Sequence, residues 1–106
     1  MKGMKRITVE MVKEAYSRTG LKPHQGDFYY LDGLTQCACG LGVLYTAEKG
    51  IKDRWCANRS AINKFGEEYA TGFVNGFDQE GSKSNEETYL IGYEDGRAAW
   101  EAVKEL

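Results

Sequence analysis

The feature that most constrains the fold of this chain is an eight-residue segment that occurs twice, twenty residues apart. Tyr69–Gly76 and Tyr89–Gly96 both read Tyr-x-x-Gly-aromatic-x-(Asn/Asp)-Gly. Glycines four apart lie on one face of a helix, where the missing Cβ atoms let a second backbone approach closely. The repeat therefore predicts two helices that pack through glycine faces, made by Gly72, Gly76, Gly92 and Gly96.

The segments around the repeat predict a long helical hairpin at the C-terminus. Apolar residues recur at helical spacing from about residue 58 to 80 and again from 85 to the end, with the polar stretch 81–84 between them. A connection this short makes its two helices antiparallel neighbours. In that arrangement Gly72 lies opposite Gly92, where we expect the two backbones to come closest.

The remaining segments predict a mainly α fold with about four helices and one small β-hairpin, in a single domain of residues 1–106. A first helix spans 9–19, capped by Thr8 and closed by Gly20. Asp32-Gly33 between aromatic and apolar runs predicts a hairpin near residues 27–37. A second helix follows from 37 to 49, although its glycines indicate either close packing or a later start. The pattern assigns no shape to residues 51–58.

Charge and cysteine content limit the classes of protein to which this chain can belong. The net charge is −2, yet residues 1–64 carry +5 and residues 65–106 carry −7. The pI of 5.4 argues against a dedicated nucleic-acid binder. No apolar run approaches the roughly 20 residues of a membrane span, so we expect no membrane partner. Three cysteines without a secretion signal favour a cytoplasmic location and reduced thiols.

The residues able to ligate a metal are few and poorly spaced. Cys37, Cys39, Cys56 and the single histidine, His24, are the weak candidates for a zinc site. Structural zinc normally uses cysteines separated by two to four residues, whereas Cys37 and Cys39 are separated by one. We therefore predict no metal and no cofactor. No catalytic motif is present, so we predict no catalytic residues, which favours a protein that is not an enzyme over a minor enzyme.

Aromatic residues with polar tips are the strongest functional lead, because such side chains are typical of ligand pockets and protein interfaces. The candidates for ligand or interface contacts are Phe28, Tyr29, Tyr30, Trp55, Tyr69, Tyr89 and Tyr93. The competing interpretation is a core rich in amphipathic rings. Asn75 and Asp95 hold equivalent places in the repeat, either as surface residues or as a polar pair made twice.

These observations predict a small cytoplasmic protein-interaction or accessory module. We expect it to self-associate, as a homodimer joined at the hairpin edge, or to bind a small protein partner. Two alternatives stay open. One is a small-molecule- or metal-binding protein with a pocket lined by Phe28, Tyr30, Cys37, Trp55 and Cys56. The other is a nucleic-acid accessory protein, which requires the cations of the first half to share one face.

Overall fold

A computed structural model of the protein describes residues 5–106, so residues 1–4 of the predicted domain lie outside the described residues. The five helices of this part of the chain are α1 (Val9–Thr19), α2 (Gly40–Lys49), α3 (Arg54–Phe65), α4 (Glu67–Phe77) and α5 (Glu87–Val103). The strands are β1 (Lys22–Pro23), β2 (Tyr29–Asp32) and β3 (Thr35–Ala38). The mainly α class with a small β element is confirmed, with one helix more than expected.

Helix α1 begins and ends where its capping residues predict. The Thr8 hydroxyl accepts a hydrogen bond from the Met11 backbone N–H at 3.2 Å, and Gly20 closes the helix with φ of 73°. Its buried face includes Tyr16, whose hydroxyl donates to the Ala38 carbonyl at 2.6 Å. That bond ties α1 to the last residue of β3.

The hairpin is present, but its turn lies one residue later than the sequence predicted. Tyr30 pairs with Cys37 and Asp32 pairs with Thr35, which leaves Gly33 and Leu34 as the turn residues instead of Asp32 and Gly33. Gly33 has φ of 63°. A glycine at the first turn position with a following residue at negative φ is the type II′ pattern, which spares Asp32 a left-handed conformation. The short strand β1 adds to the sheet in parallel beside β3, giving the order β1–β3–β2.

Helix α2 begins at Gly40, later than the predicted residue 37, because Cys37 and Ala38 belong to β3. Both helix glycines are sites of close packing. A Cβ on Gly40 would lie 2.8 Å from the Phe73 ring, and one on Gly42 would overlap the Phe28 carbonyl oxygen. The two interpretations that the sequence left open, close packing and a late start, therefore both hold.

The predicted third helix is two helices. Gly66, with φ of 89° and ψ of 151°, breaks the chain between α3 and α4. Helix α3 starts in the segment that had no assigned shape, since the Asp53 carboxylate accepts a hydrogen bond from the Cys56 N–H at 3.0 Å. This cap turns residues 54–58 into the first turns of a helix.

The two C-terminal helices pack through their glycine faces as predicted, but they run parallel, so the antiparallel orientation is corrected. A Cβ on Gly72 would lie 3.0 Å from the Tyr93 nitrogen, and one on Gly76 would lie 3.1 Å from the Arg97 nitrogen. A step towards the C-terminus of α4, from Gly72 to Gly76, is therefore matched by a step towards the C-terminus of α5, which is the mark of parallel helices. Phe77 and Trp100 at the far ends confirm this, with ring centroids 5.3 Å apart.

The connection of residues 78–86 makes the parallel arrangement possible. Nine extended residues reach about 30 Å, whereas α4, with 11 residues, is only about 16 Å long. Helix α4 stops because Gln79 adopts φ of 57° and the Glu80 N–H bonds back to the Asn75 carbonyl at 3.0 Å. The chain then returns along α5, where the Lys83 N–H donates to the Tyr89 hydroxyl at 3.0 Å.

Candidate functional site

The positions that the two copies of the repeat share make equivalent contacts across the α4–α5 pair, related by a local pseudo-two-fold axis along the helices. A Cβ on Gly72 would overlap the Tyr89 carbonyl, and a Cβ on Gly92 would overlap the Tyr69 carbonyl. Gly76 and Gly96 stand in the same relation to the carbonyls of Tyr93 and Phe73. Glycine Cα–H groups facing carbonyl oxygens across a helix pair make weak favourable contacts. Each glycine of the repeat is therefore required by the backbone of the other copy.

The tyrosine and the Asn or Asp of each copy also meet across the axis. The Tyr69 hydroxyl donates to the Asp95 carboxylate, and the Asn75 amide donates to the Tyr89 hydroxyl at 2.7 Å. This is the polar pair made twice that the sequence left as one of two interpretations. Its members are buried or half-buried, so the pairs hold the helices together.

The Tyr69 hydroxyl is the centre of a small network that also fixes the start of the described chain. It accepts a hydrogen bond from the Ile7 N–H at 2.7 Å, while Arg6 binds the Asp95 carboxylate through two nitrogens at 2.7 and 3.0 Å. Burial, followed by the hydrogen bond to Asp95, raises the pKa of Tyr69. The raised pKa keeps the hydroxyl neutral, so it donates to Asp95 while it accepts from Ile7.

The structure divides the seven aromatic candidates into buried and exposed sets. Tyr69 and Tyr89 are buried, and the half-buried Tyr93 donates to the Glu80 carbonyl. Phe28 and Tyr29 pack against the core from the hairpin. Tyr30 and Trp55 are exposed, with Tyr30 stacked on His24 at a centroid distance of 4.3 Å. Of the seven, Trp55 at 78% exposed and Tyr30 at 46% exposed offer the largest surface to another molecule.

The cysteines and the histidine do not converge. Cys37 and Cys39 are buried, whereas Cys56 is exposed on α3, and the His24 ring lies 3.4 Å from the Asp27 carboxylate. Within residues 5–106, no group of three or more His, Cys, Asp or Glu side chains is placed to hold a metal ion. The cluster of Cys37, Cys39, Cys56 and His24 that the metal-binding alternative would use is therefore not formed in the described part of the chain.

The thiols should differ strongly in reactivity. Burial raises the pKa of Cys39 to about 12, so its thiol stays protonated at neutral pH, and the thiolate is the reactive form. We expect a thiol-specific disulfide reagent at pH 8 to label Cys56 rapidly and the other two cysteines only after denaturation. Mass mapping of the labelled protein checks this order. Rapid labelling of Cys39 in the folded protein would contradict its burial.

A groove of about 420 Å³ lies between α1, α2 and α3, and it contains none of the residues predicted to line a pocket. Alanines and leucines make its floor, and two ion pairs border it, Arg18 with Glu14 and Lys64 with Glu48. The predicted lining of Phe28, Tyr30, Cys37, Trp55 and Cys56 is not brought together, because Cys37 is buried in β3 while Trp55 is 78% exposed on α3. The small-molecule alternative stays a prediction, but the pocket lining that was proposed for it is not formed.

The first exposed surface, which we call the hairpin edge, consists of the outer backbone of β2 with Tyr30, Leu31 and Leu34. Among residues 5–106, strand β2 pairs only with β3 and has no strand on its other side. Leu31 is 63% exposed and Leu34, at the turn, is fully exposed. This surface was predicted from the sequence as an edge, although the turn that presents Leu34 was not.

The second exposed surface, which we call the basic aromatic patch, spans the α2–α3 connection and the start of α3. Its members are Lys49, Ile51, Lys52, Arg54, Trp55 and Arg59. Residues 48–56 are exposed without interruption, and the Arg54 guanidinium lies 5.7 Å from the centroid of the Trp55 ring. The sequence singled out Trp55 as a ligand or interface candidate, and the four cations as part of the basic first half that the nucleic-acid alternative would use. It gave no shape for the segment that groups them.

The chain matches no protein-family model, no curated protein and no solved structure. Among residues 5–106, no helix has the length and apolar character needed to cross a bilayer. Inferences about function therefore depend on the two exposed surfaces.

Proposed function

We propose that this protein is a small cytoplasmic interaction module that self-associates through the hairpin edge. The observation that carries the proposal is an open strand edge flanked by two exposed leucines, Leu31 and Leu34. A strand edge presents unpaired N–H and C=O groups, which are a template for pairing with another chain. Three thiols without a disulfide between them support a reducing compartment.

The hydrogen-bonding pattern of the hairpin defines which backbone groups are available. The Cys39 N–H donates to the Phe28 carbonyl at 3.1 Å, so Phe28 and Cys39 form a hydrogen-bonded pair. Such pairs alternate along an antiparallel ladder. The backbone groups of Tyr29 and Leu31 therefore point away from β3 and towards the open edge.

A second copy of the chain fits this edge by two-fold symmetry. If two β2 strands pair in antiparallel fashion about Tyr30, Leu31 of each copy exchanges backbone hydrogen bonds with Tyr29 of the other. The same surface then serves both partners, as a two-fold dimer requires. No like charges face each other in this register. The pairs about the axis are formed by Tyr29, Tyr30 and Leu31, and Asp32 is not among them.

Proline at position 31 tests the proposal. Leu31→Pro removes the N–H that points to the open edge and leaves the bonds between β2 and β3 in place. We expect its dimer dissociation constant to rise by at least about tenfold, in line with a lost hydrogen bond and a lost apolar contact. Sedimentation velocity over a concentration series measures this change.

Met11→Lys is the matched control, since Met11 is an exposed apolar residue on α1, away from the hairpin. It should leave the dissociation constant unchanged. A parent protein that stays monomeric at millimolar concentration would overturn the proposal. Equal association of the Leu31→Pro variant and the parent would also overturn it.

A further inference from the structure

We propose that the basic aromatic patch binds an acidic, apolar peptide segment of a partner protein. This surface lies on the α2–α3 connection and α3, whereas the hairpin edge lies on the sheet, so the inference does not depend on self-association. The argument combines the local charge, the two exposed apolar side chains and the arrangement of Arg54 over Trp55.

The local charge is opposite to that of the whole chain. Residues 49–59 carry four cations and one carboxylate, a net charge of +3 on a chain whose net charge is −2. The carboxylate, Asp53, is used by the cap of α3, and its hydrogen bond from the Cys56 backbone lowers the pKa of Asp53. The patch is therefore a positive region that attracts carboxylates or phosphates over about one Debye length.

The cations of the patch are not neutralised by neighbouring side chains. In the part of the chain that the structure describes, ion pairs join Arg6, Arg18, Lys64, Lys83 and Lys104 to carboxylates. No such pair holds Lys49, Lys52, Arg54 or Arg59 among the residues described. Their charges are therefore available to a ligand. In this respect they differ from those cations of the first half that are paired within the fold.

The apolar members of the patch decide between the classes of anionic partner. Trp55 is 78% exposed and Ile51 is 52% exposed. Phosphates can satisfy the cations, but they leave the Ile51 side chain in water, whereas a peptide with both carboxylate and apolar side chains satisfies both. Single-stranded nucleic acid typically binds along grooves with successive aromatic side chains, and this patch has one exposed ring on an uninterrupted exposed segment.

Arg54 and Trp55 supply the central contact. The guanidinium lies over the indole, a cation–π arrangement that keeps the long arginine side chain in place while leaving its N–H groups free to bind a carboxylate. Tryptophan and arginine are also the residues most often found at the energetic centre of protein interfaces. A partner carboxylate bound to Arg54 would thus place an apolar neighbour on the open face of Trp55.

Binding is measured by fluorescence anisotropy of a fluorescein-labelled synthetic peptide that alternates glutamate with leucine and phenylalanine. We expect saturable binding that weakens as the salt concentration rises from about 0.05 to 0.5 M. Trp55→Ala should weaken it at least about tenfold. Because Trp55 is largely exposed, this variant retains the fold, which circular dichroism verifies. Leu31→Pro should bind the peptide like the parent, which separates this test from the test of self-association.

A pair of charge-reversal variants provides the matched control. Lys52→Glu with Arg59→Glu should abolish binding. Lys13→Glu with Lys22→Glu makes the same change in net charge on α1 and β1, outside the patch, and should bind like the parent. Equal loss in both variants would overturn the assignment to this patch. The choice of partner would be overturned if oligothymidylate or phosphatidylserine vesicles bound more tightly than the peptide. It would also be overturned if a peptide with lysine in place of glutamate bound equally well.

Discussion

Replacing Gly72 with leucine should lower the free energy of unfolding by at least about 3 kcal/mol, the upper end of the cost of overpacking a core. The first side-chain atom already overlaps the Tyr89 carbonyl, and it lies 3.0 Å from the Tyr93 nitrogen. Both obstacles are helix backbone, which cannot move aside like a side chain. Since a domain of this size is stable by only about 5–15 kcal/mol, urea denaturation followed by circular dichroism should show a large shift of the midpoint.

The neighbouring residue provides the control for this substitution. Thr71 lies on the exposed face of α4, so Thr71→Leu adds a leucine to the same helix without facing α5. Its effect should be within about 0.5 kcal/mol. Gly92→Leu should resemble Gly72→Leu, because Gly92 meets the Tyr69 carbonyl in the equivalent way. If Gly72→Leu unfolds at the same urea concentration as the parent, the close approach of the helices is wrong.

Removing the Tyr69 hydroxyl should have the second-largest effect. In Tyr69→Phe the buried Ile7 N–H loses its acceptor and the Asp95 carboxylate loses a donor. A buried donor left unpaired costs about 1–3 kcal/mol, and we expect a loss of about 2 kcal/mol in the free energy of unfolding. The same denaturation experiment measures it.

Tyr93→Phe is the matched control for the tyrosine. Tyr93 occupies the place in the second copy that Phe73 occupies in the first, and its hydroxyl donates only to the Glu80 carbonyl in the exposed connection. Its removal should cost less than about 1 kcal/mol. Equal effects of the two substitutions would show that the network around Tyr69 does not stabilise the chain start.

The sequence predicted the packing face of the C-terminal helices but not their orientation. Glycine spacing is a local property that marks one helix face. The sequence alone therefore predicted that Gly72 and Gly92 lie at the contact between the helices. The parallel and the antiparallel orientation both bring these two glycines together. Only the length of the connection between the helices decides which orientation forms. The helix ends at Phe77 because Gln79 takes the left-handed conformation usually given to glycine. Without a glycine at that position, the sequence placed the end of the helix too late.

The same limit explains the tyrosines of the repeat. Tyr69 and Tyr89 were predicted as ligand or interface residues because their hydroxyls need partners. The structure supplies those partners from the other copy of the repeat, through Asp95 and Asn75. Which residue satisfies a hydroxyl depends on tertiary contacts, and a spacing pattern does not contain them. A repeated Tyr and Asx at matching places was nevertheless the signal of this pairing.

The two exposed surfaces differ in how far the sequence revealed them. An Asp-Gly pair between apolar runs was enough to predict the hairpin and its edge, although φ at Gly33 moved the turn and exposed Leu34. The basic aromatic patch depends on the start of α3. Asp53 caps that helix, but with little apolar periodicity nearby the cap alone could not be distinguished from a polar loop residue.

The most direct test of the central claim, that the repeat forms a parallel two-fold helix pair, is a nuclear Overhauser experiment on isotope-labelled protein. The parallel pair predicts cross-peaks from the Gly76 Hα protons to the Arg97 amide and from the Gly96 Hα protons to the Phe77 amide. Cross-peaks from Gly76 to the Tyr89 amide, with none to Arg97, would contradict the parallel pair and restore the antiparallel hairpin.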